Sequence, residues 1–411
     1  MKQAASARRR IAMVSEHASP LAALGGPDAG GQNVYVAQLA GHLARRGHEV
    51  TVYTRRDDTD LPDQVETDDG VSVVHVPAGP PAPLLKDELL VHMPSFGAHL
   101  ARTWTLARPD VVHAHFWMSG VAALTGARGL GVPVVQTYHA LGTVKRRHQG
   151  AEDSSPRQRV AIERRNGREC HRVLATCADE VAELAAMGVS GAHVSVVPCG
   201  VDAEHFAPVA TPARRDRAPR RLLAVGRLVP RKGFDRAIRA LPAVPDTELL
   251  IAGGPEPALL FADPEAERLR RIAAEHGVAD RVRLLGGVSR NRMPELISGA
   301  DLVLALPSYE PFGIVPLEAM ACRRPVVATA VGGHLDTVLD GVTGALVSTD
   351  DTHQLAGVIR GLLDSPELLS RYGAAGRDRV LARYTWDRVA DGVARVYDEL
   401  AAIPPLSGVA P

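Results

Sequence analysis

The sequence predicts an α/β protein with two Rossmann-like domains, each built on a doubly wound parallel sheet. Short apolar runs alternate with longer stretches of helical periodicity along almost the whole chain, and this alternation is typical of β-α-β units. At 411 residues the chain exceeds the size of one hydrophobic core, so two domains of roughly 200 residues each are expected. A stretch near the middle, residues 206–220, is rich in Ala, Pro and Arg without apolar periodicity, as a linker is.

We therefore expect an N-terminal domain at residues 1–205, a linker at 206–220 and a C-terminal domain at 221–385. A last helix within residues 386–411 is expected to cross back onto the first domain, as in this fold class, and to end in a frayed tail.

Composition excludes several classes of protein. Lys plus Arg and Asp plus Glu both number 47, so no overall field favours nucleic acid or a membrane surface. No segment approaches the ~20 apolar residues of a membrane span. The four cysteines form no C-x-x-C pair, which favours a reducing compartment, and no apolar signal region precedes the first strand. We expect a cytoplasmic protein.

The first half of the chain supplies one sheet. Its predicted strands are residues 11–15, 49–55, 71–77, 111–115, 133–138, 172–176 and 194–197. Helices are predicted after residue 33, with Val34, Leu39 and Leu43 inward, and at residues 86–107 and 179–187. Ligands of open parallel sheets lie beyond the carboxyl ends of the strands, so His139, at such an end, is a candidate site residue. His113 and His115 share one strand face, where packing or a loop contact is the favoured interpretation; no third ligand is placed for a metal.

The loop at residues 17–32 lies between the first strand and the first helix and contains two Gly-Gly pairs, at 25–26 and at 30–31. A glycine-rich loop before a helix start can bind an anion through backbone amides. The glycines could equally serve only to make tight turns. The pattern is not G-x-G-x-x-G, which disfavours a nicotinamide dinucleotide.

The second half of the chain repeats this alternation of predicted strands and helices. Strands are predicted at residues 221–225, 248–252, 282–285, 302–306 and 344–347, with helices from 234, at 266–276, at 291–298, from 352 and at 386–403. Arg227 and Lys232 lie in the loop after the first of these strands. Both cations can reach one phosphate group and stabilise its charge as a bond to it breaks, although a solvated pair is the simpler alternative.

Glu310 and Glu318 follow the strand at residues 302–306. We predict a helix that begins near Pro316 and carries Glu318 in its first turn, with Glu310 in the preceding loop. Backbone amides around Phe312, Gly313 and Ile314 lie between the two. Paired carboxylates suit the vicinal hydroxyls of a polyol, whereas the plain alternative is one helix-start Glu and one solvated Glu.

This E-x7-E arrangement, with P-F-G after its first Glu, resembles the retaining glycosyltransferases of family 4. The segment D-A-G-G-Q-N-V-Y-V is similar to the corresponding loop of the inositol-phosphate N-acetylglucosaminyltransferases of mycothiol synthesis and of sucrose-phosphate synthases. The resemblance covers nearly the whole chain. It implies the GT-B fold, in which two Rossmann-like domains face a cleft, the first binding the acceptor and the second the nucleotide sugar.

The resemblance also implies a role for each matching residue. The implied donor-binding residues are His17, Gly30, Gly31, Arg227, Lys232, Val288, Glu310, Phe312, Gly313, Ile314 and Glu318. The implied catalytic residues are His139, Arg227, Lys232 and Glu310. The implied acceptor-binding residues are Asp28, Asn33, Lys86, Phe116 and Arg159.

The acceptor side departs from the mycothiol enzymes. Phe116 stands where they carry Tyr, and Ala140 where they carry Thr, so two hydroxyl donors to a phosphate are missing. We therefore expect an acceptor other than inositol phosphate. Residues 140–175 carry nine Lys or Arg against four acids, which indicates either a solvated helix face or a basic wall for an anionic acceptor. A surface for a lipid acceptor is a third option, but no large apolar face accompanies the charges.

Together with the resemblance, the residues predict hexose transfer from a nucleotide-diphosphate sugar to a small polyol or sugar phosphate, with retention. The resemblance alone implies UDP-glucose or UDP-N-acetylglucosamine as the donor. No metal and no further cofactor are expected. The alternatives are a nucleotide-sugar epimerase of the same fold, a transferase acting on a lipid or natural product, and a non-catalytic sugar-nucleotide binder. Partners are expected to be small molecules, and a homodimer is one option for the assembly.

Overall fold

The structure, a computed structural model, describes residues 7–22, 30–210 and 219–402. Gly25, Gly26 and the acceptor candidate Asp28 lie outside the described residues, as do much of the predicted linker and the predicted tail. The chain divides into two compact units, Met1–Pro198 with Trp386–Pro411 and Cys199–Thr385.

The first unit holds a sheet of eight strands in the order β3-β4-β2-β1-β5-β6-β7-β8. In chain order its elements are β1 (Arg10–Val14), α1 (Gly31–Arg45), β2 (Glu49–Arg55), β3 (Gln64–Glu66), β4 (Val71–Val76), α2 (Met93–Leu106), β5 (Val111–His115), α3 (Trp117–Gly126), β6 (Val134–Thr137), α4 (Gly142–Gln149), α5 (Arg159–Glu169), β7 (Arg172–Ala175), α6 (Ala178–Ala186) and β8 (Val194–Val196). All neighbours pair in parallel except β3 and β4.

The second unit holds six parallel strands in the order β11-β10-β9-β12-β13-β14. Its elements are β9 (Arg220–Val225), α7 (Phe234–Ala240), β10 (Thr247–Ala252), α8 (Pro264–Glu275), β11 (Val282–Gly286), α9 (Met293–Ser298), β12 (Leu302–Ala305), α10 (Ile314–Ala321), β13 (Val326–Thr329), α11 (His334–Thr337), β14 (Gly344–Val347), α12 (Thr352–Leu363) and α13 (Pro366–Arg383). Two parallel-sheet α/β units are therefore present, as the sequence predicted.

Central strands are buried on both faces because helices cover both sides of each sheet. In β12, Leu302 and Leu304 belong to one apolar cluster, whereas Val303 and Ala305 belong to a second cluster on the opposite face. This period-two division explains why such strands have continuous apolar sequences rather than an alternation with polar residues.

The last helix, α14 (Trp386–Ala401), belongs to the first unit. Its Trp386 ring packs edge-on against Tyr35 of α1, with ring centroids 5.5 Å apart. The Tyr397 hydroxyl lies 2.8 Å from Nδ1 of the buried His113. Arg46 donates to the Asp391 carboxylate at 3.0 Å. Aromatic and polar contacts thus fix α14 along its whole length.

Four local predictions were wrong. Leu39 and Leu43 of α1 are buried as predicted, but Val34 is only half-buried, and Tyr35 and Val36 are buried in its place. The helix predicted at residues 86–107 is a 3₁₀ turn at Lys86–His92 followed by α2. The helix predicted at 291–298 is likewise a 3₁₀ turn at Arg290–Arg292 followed by α9. In both cases a proline is the second residue of the α-helix, where its missing N–H interrupts the ladder from the preceding turn.

The fourth error concerns α10, which begins at Ile314 and not near Pro316. Gly313 precedes it with a φ of 72°, a left-handed conformation that suits glycine. Glu318 is consequently the fifth residue of the helix, beyond its first turn. The favourable contact with the helix dipole that the sequence suggested for Glu318 is therefore lost.

Candidate active site

In the second unit, Lys232 and Glu310 come from the carboxyl ends of the neighbouring strands β9 and β12. Lys232 ends a 3₁₀ turn at Pro230–Lys232, and its Nζ lies 2.6 Å from Oε2 of Glu310. Gly233 permits this approach, because a Cβ there would lie 1.9 Å from the Leu306 carbonyl oxygen. Gly333 donates its N–H to the Glu310 carbonyl at 2.8 Å, which fixes the loop from its other side.

Burial would raise the pKa of the Glu310 carboxyl, but the Lys232 ammonium and the nearby His334 outweigh it and lower this pKa to about 2. Glu310 is therefore ionised at any working pH. It can accept hydrogen bonds from hydroxyls, but it has no proton to donate.

Arg227 makes no contact of this kind with Lys232 or Glu310. Its side chain is exposed and makes no hydrogen bond or ion pair with another described residue. A Cβ on the adjacent Gly226 would lie 3.4 Å from the Lys232 side chain, so the methylene groups of Lys232 pass close to the backbone next to Arg227. One cation of the predicted pair is thus held by the protein, and the other is open to a ligand.

Glu318 lies on α10, where burial raises the pKa of its carboxyl to about 7 although Arg290 opposes this shift. Its cationic neighbour is Arg290, whose Nη1 is 3.8 Å from Oε1 of Glu318. The Arg290 guanidinium also lies 5.0 Å from the centre of the Phe206 ring. Sequence analysis missed Arg290, although it follows the strand end of β11, where ligand-binding residues are expected.

Among the other donor candidates, Gly313 immediately precedes α10, and the Ile314 amide begins it. The N–H groups of a first helical turn lack partners within the helix and can donate to a ligand. Val288 lines a cavity of about 620 Å³ together with Pro257, Leu285 and Gly287. Glu310 and Glu318 are not among the residues that line it.

In the first unit, two residues just beyond the carboxyl ends of parallel strands have strained backbones. Phe116, after β5, has φ 82° and ψ 159°, and His139, after β6, has φ 62°. Such conformations cost about 1–3 kcal/mol for a residue other than glycine and are concentrated at functional sites. Gln136 donates to the Phe116 carbonyl at 3.0 Å and so helps to hold the strained turn.

His139 is buried beside His115, with Nδ1 of His115 and Nε2 of His139 3.1 Å apart. One ring therefore donates to the other. Burial, His115, His17 and Lys86 hold the pKa of His139 well below the ordinary value, so the ring is neutral. His113 bonds Tyr397 and Thr137, in agreement with the packing role preferred for it.

Two predicted acceptor residues, Lys86 and Arg159, and the predicted donor residue His17 meet around the ring of Phe116. Lys86 Nζ lies 4.1 Å and the Arg159 guanidinium 5.1 Å from the ring centre, and His17 packs edge-on at 4.9 Å. Arg159 is committed to the protein, since it bonds Glu163 at 2.7 Å and the Ala140 carbonyl at 2.7 Å. Burial, Arg159 and Lys145 lower the pKa of Lys86 to about 8.

The basic segment is mostly a solvated surface. Arg146, Arg147, Arg157, Arg164, Arg165 and Arg168 are exposed, whereas Arg159 is buried. The interpretation as a solvated helix face therefore holds for most of these cations, and Arg159 is the exception.

Gly30, Gly31 and Asn33 lie at the start of α1. Asn33 is buried, accepts from the Gly30 N–H at 3.1 Å and donates to the Ser19 carbonyl at 3.1 Å. Its amide therefore links Ser19 to the start of the helix. Among the residues described, no helix is both long and apolar enough to cross a membrane, and no cluster of three His, Cys, Asp or Glu side chains forms a metal site.

Known protein-family models match both halves of the chain. Residues 29–205 match the model of Glycosyltransferase Family 4, and residues 212–379 match that of Glycosyl transferases group 1. A D-inositol 3-phosphate glycosyltransferase of Acidothermus cellulolyticus is 38% identical over 96% of this chain and 91% of its own length. The chain belongs to glycosyltransferase family 4.

Solved structures place this glycosyltransferase in the GT-B fold. The sucrose-phosphate synthase of Thermosynechococcus elongatus superposes with a TM-score of 0.85 at 31% identity, over 96% of this chain and all of that one. Anabaena Alr3699/HepE in complex with UDP-glucose superposes with a TM-score of 0.73 at 18% identity, over 95% of this chain and all of that one. At that identity the second likeness shows the fold alone.

Proposed function

We propose that this glycosyltransferase moves a hexose, glucose or N-acetylglucosamine, from a UDP-sugar to a hydroxyl of a small polar acceptor, with retention of the anomeric configuration. Polyols and sugar phosphates are the acceptors envisaged. The single observation that carries the proposal is the Lys232–Glu310 pair beside the exposed Arg227. The family's glycosyl transfer and the UDP-glucose named in the Anabaena complex support the choice of donor.

The donor is assigned to the second unit. Glu310 accepts from the hexose hydroxyls, and the ammonium of Lys232 then turns toward the diphosphate together with Arg227. Glu318 accepts from the ribose hydroxyls, while the amides at the start of α10 and the backbone near Val288 contact the rest of the nucleotide. Fixed positive charge favours departure of UDP because charge develops on its phosphate oxygen in the transition state.

Retention follows from attack on the side from which UDP leaves. The acceptor oxygen bonds to the anomeric carbon as the bond from carbon to phosphate oxygen breaks, and its proton passes to the departing oxygen. A covalent route needs a carboxylate nucleophile and an acid of suitable pKa at glycosidase spacing. Glu310, with a pKa of about 2, cannot be that acid.

The first unit is assigned to the acceptor, through Lys86 and Phe116, with His139 contacting the transferred sugar. Arg159, which is bonded to Glu163 and to the Ala140 carbonyl, contributes its charge beside the Phe116 ring. Four free cysteines among the described residues support a reducing compartment, and we place the reaction in the cytoplasm.

A donor screen tests the proposal. Purified enzyme is incubated with UDP-, GDP- and ADP-linked glucose and N-acetylglucosamine, alone and with a panel of polyols and sugar phosphates, and released nucleotide is measured. Release from a UDP-sugar that rises with an acceptor is expected, and proton NMR of the product should show the donor's anomeric configuration. Failure to bind any sugar nucleotide would overturn the proposal, and an inverted product would overturn the front-side route.

A further inference from the structure

Glu16 is a buried carboxylate for which the proposed reaction has no role. It follows β1 and is 1% exposed. Its backbone N–H donates to Ser119 Oγ at 3.0 Å, and the Ser119 hydroxyl donates in turn to Oε2 of Glu16. Its other carboxylate oxygen, Oε1, lies 2.7 Å from Nδ1 of His17. A buried charge is tolerated only when it is bonded in this way.

The strand order brings these groups together. Glu16 follows β1, and Ser119 lies in the first turn of α3, immediately after β5, the strand that pairs with β1. Burial alone would raise the pKa of the Glu16 carboxyl, but His17 and the hydrogen bonds from Ser119 bring it below its usual value. Glu16 is therefore a carboxylate and can only accept hydrogen bonds.

This pairing decides which nitrogen of His17 carries a proton. Since the carboxylate can only accept, Nδ1 must carry the hydrogen that it shares with Glu16. In the neutral ring, Nε2 is then an acceptor with a lone pair, and it makes no hydrogen bond with another described residue. The His17 side chain is 11% exposed and packs against Phe116, beside Lys86 and Arg159.

We propose that Glu16 is a positioning residue that fixes His17 as a hydrogen-bond acceptor, and that His17 Nε2 binds a hydroxyl of the sugar acceptor. An ionised phosphate oxygen has no hydrogen to donate to Nε2, so His17 Nε2 selects an O–H group. His17 thus belongs with the acceptor residues around Phe116. This inference rests on the proposed transferase function and narrows its acceptor to one that offers a hydroxyl to His17.

The first experiment needs no substrate. Long-range ¹H–¹⁵N spectra of ¹⁵N-histidine-labelled enzyme report the tautomer of each ring, and the His17 signals are assigned by their loss in His17→Asn. A neutral ring protonated on Nδ1 is expected. A ring protonated on Nε2, or on both nitrogens, at neutral pH would overturn the proposal.

The second experiment tests Glu16 itself. In Glu16→Gln the amide oxygen can accept from Ser119 while its NH₂ faces Nδ1, so His17 should change to the Nε2-protonated tautomer; Glu16→Asp should keep the original tautomer. Glu169→Gln, at an exposed position, is the matched control. An unchanged tautomer in Glu16→Gln would refute the role of Glu16.

The third experiment is kinetic. Transfer is measured with UDP-glucose and UDP-N-acetylglucosamine against myo-inositol, D-inositol 3-phosphate, glucose and fructose 6-phosphate. Glu16→Gln should lower kcat/KM for the acceptor that is used by about 10²-fold or more, and KM for the donor should be unchanged. An equal loss on the donor side would refute the assignment to the acceptor. If no sugar nucleotide is bound by calorimetry, the proposed function fails, and the tautomer spectra still decide the role of Glu16 toward His17.

Discussion

The Lys232–Glu310 ion pair makes a prediction about stability that is independent of any substrate. The two side chains are 17% and 13% exposed, so solvent screens them little. The pKa of Glu310 falls from 4.5 to about 2, a difference that corresponds to about 3 kcal/mol of stabilisation. Because the folded-state pKa is lowered, this contribution is fully present above pH 4.5 and is lost as the pH falls toward 2.

The perturbation is a double-mutant cycle with Lys232→Met and Glu310→Gln, followed by urea unfolding at pH 7. Lys232→Met alone should lower the free energy of unfolding by about 3 kcal/mol, because it leaves a buried charge without a partner. Glu310→Gln in the same background should recover most of that loss. The pair should therefore show a coupling energy of about 2–3 kcal/mol.

The exposed pair Arg271–Glu275 on α8, with its atoms 2.6 Å apart, is the matched control in the same unit. Its cycle, Arg271→Met with Glu275→Gln, should give only about 0.3–0.5 kcal/mol. Equal coupling energies for the two pairs would refute the argument from burial. The argument would also be refuted if the loss of unfolding free energy caused by Lys232→Met stayed the same as the pH is lowered from 7 to 3.

Three further predictions concern the donor and acceptor sides. Arg227→Ala should lower turnover by orders of magnitude and leave the thermal midpoint unchanged, because the side chain has no bonding partner among the described residues; wild-type turnover would remove the leaving-group argument. Glu318→Gln should be more stable than wild type by an amount that grows as the pH rises from 5 to 8, since the raised pKa of Glu318 means that its stabilising protonated state is lost as the pH passes about 7; a pH-independent difference in melting temperature would contradict this. Phe116→Tyr with Ala140→Thr should raise kcat/KM for D-inositol 3-phosphate by about tenfold or more by restoring two hydroxyl donors, whereas a drop with that acceptor would show that the missing hydroxyls do not decide acceptor choice.

The strands were predictable because both faces of each central strand are buried, which leaves a continuous apolar signal in the sequence. The strands at residues 49–55, 111–115 and 344–347 were placed with their observed bounds. β3 was missed because an exposed antiparallel edge strand is short and polar, as Gln64–Glu66 is. β13 was missed because it follows α10 so closely that its apolar residues were included in the motif around Glu318.

The pairings within the site were harder to predict than its residues. Lys232 and Glu310 are 78 positions apart, and only the adjacency of β9 and β12 brings them together. Glu16 shows the opposite failure. It stands at the end of a parallel strand, so the rule that selected His139 applies to it as well. It was not predicted because a single acidic residue beside a glycine-rich loop belongs to no recognisable motif. Arg290 was overlooked in the same way.

The position of α14 has a consequence for biosynthesis. The first unit includes α14, a helix that the ribosome makes only after all of the residues 199–385. Until then Tyr35 lacks its ring contact with Trp386, and His113 lacks its hydrogen bond with Tyr397. The surface that α14 covers therefore stays uncovered on the nascent chain while residues 199–385 are made. The first unit is thus completed after the second, although its synthesis begins earlier, and a chaperone that protects this surface would act while the second unit is being synthesised.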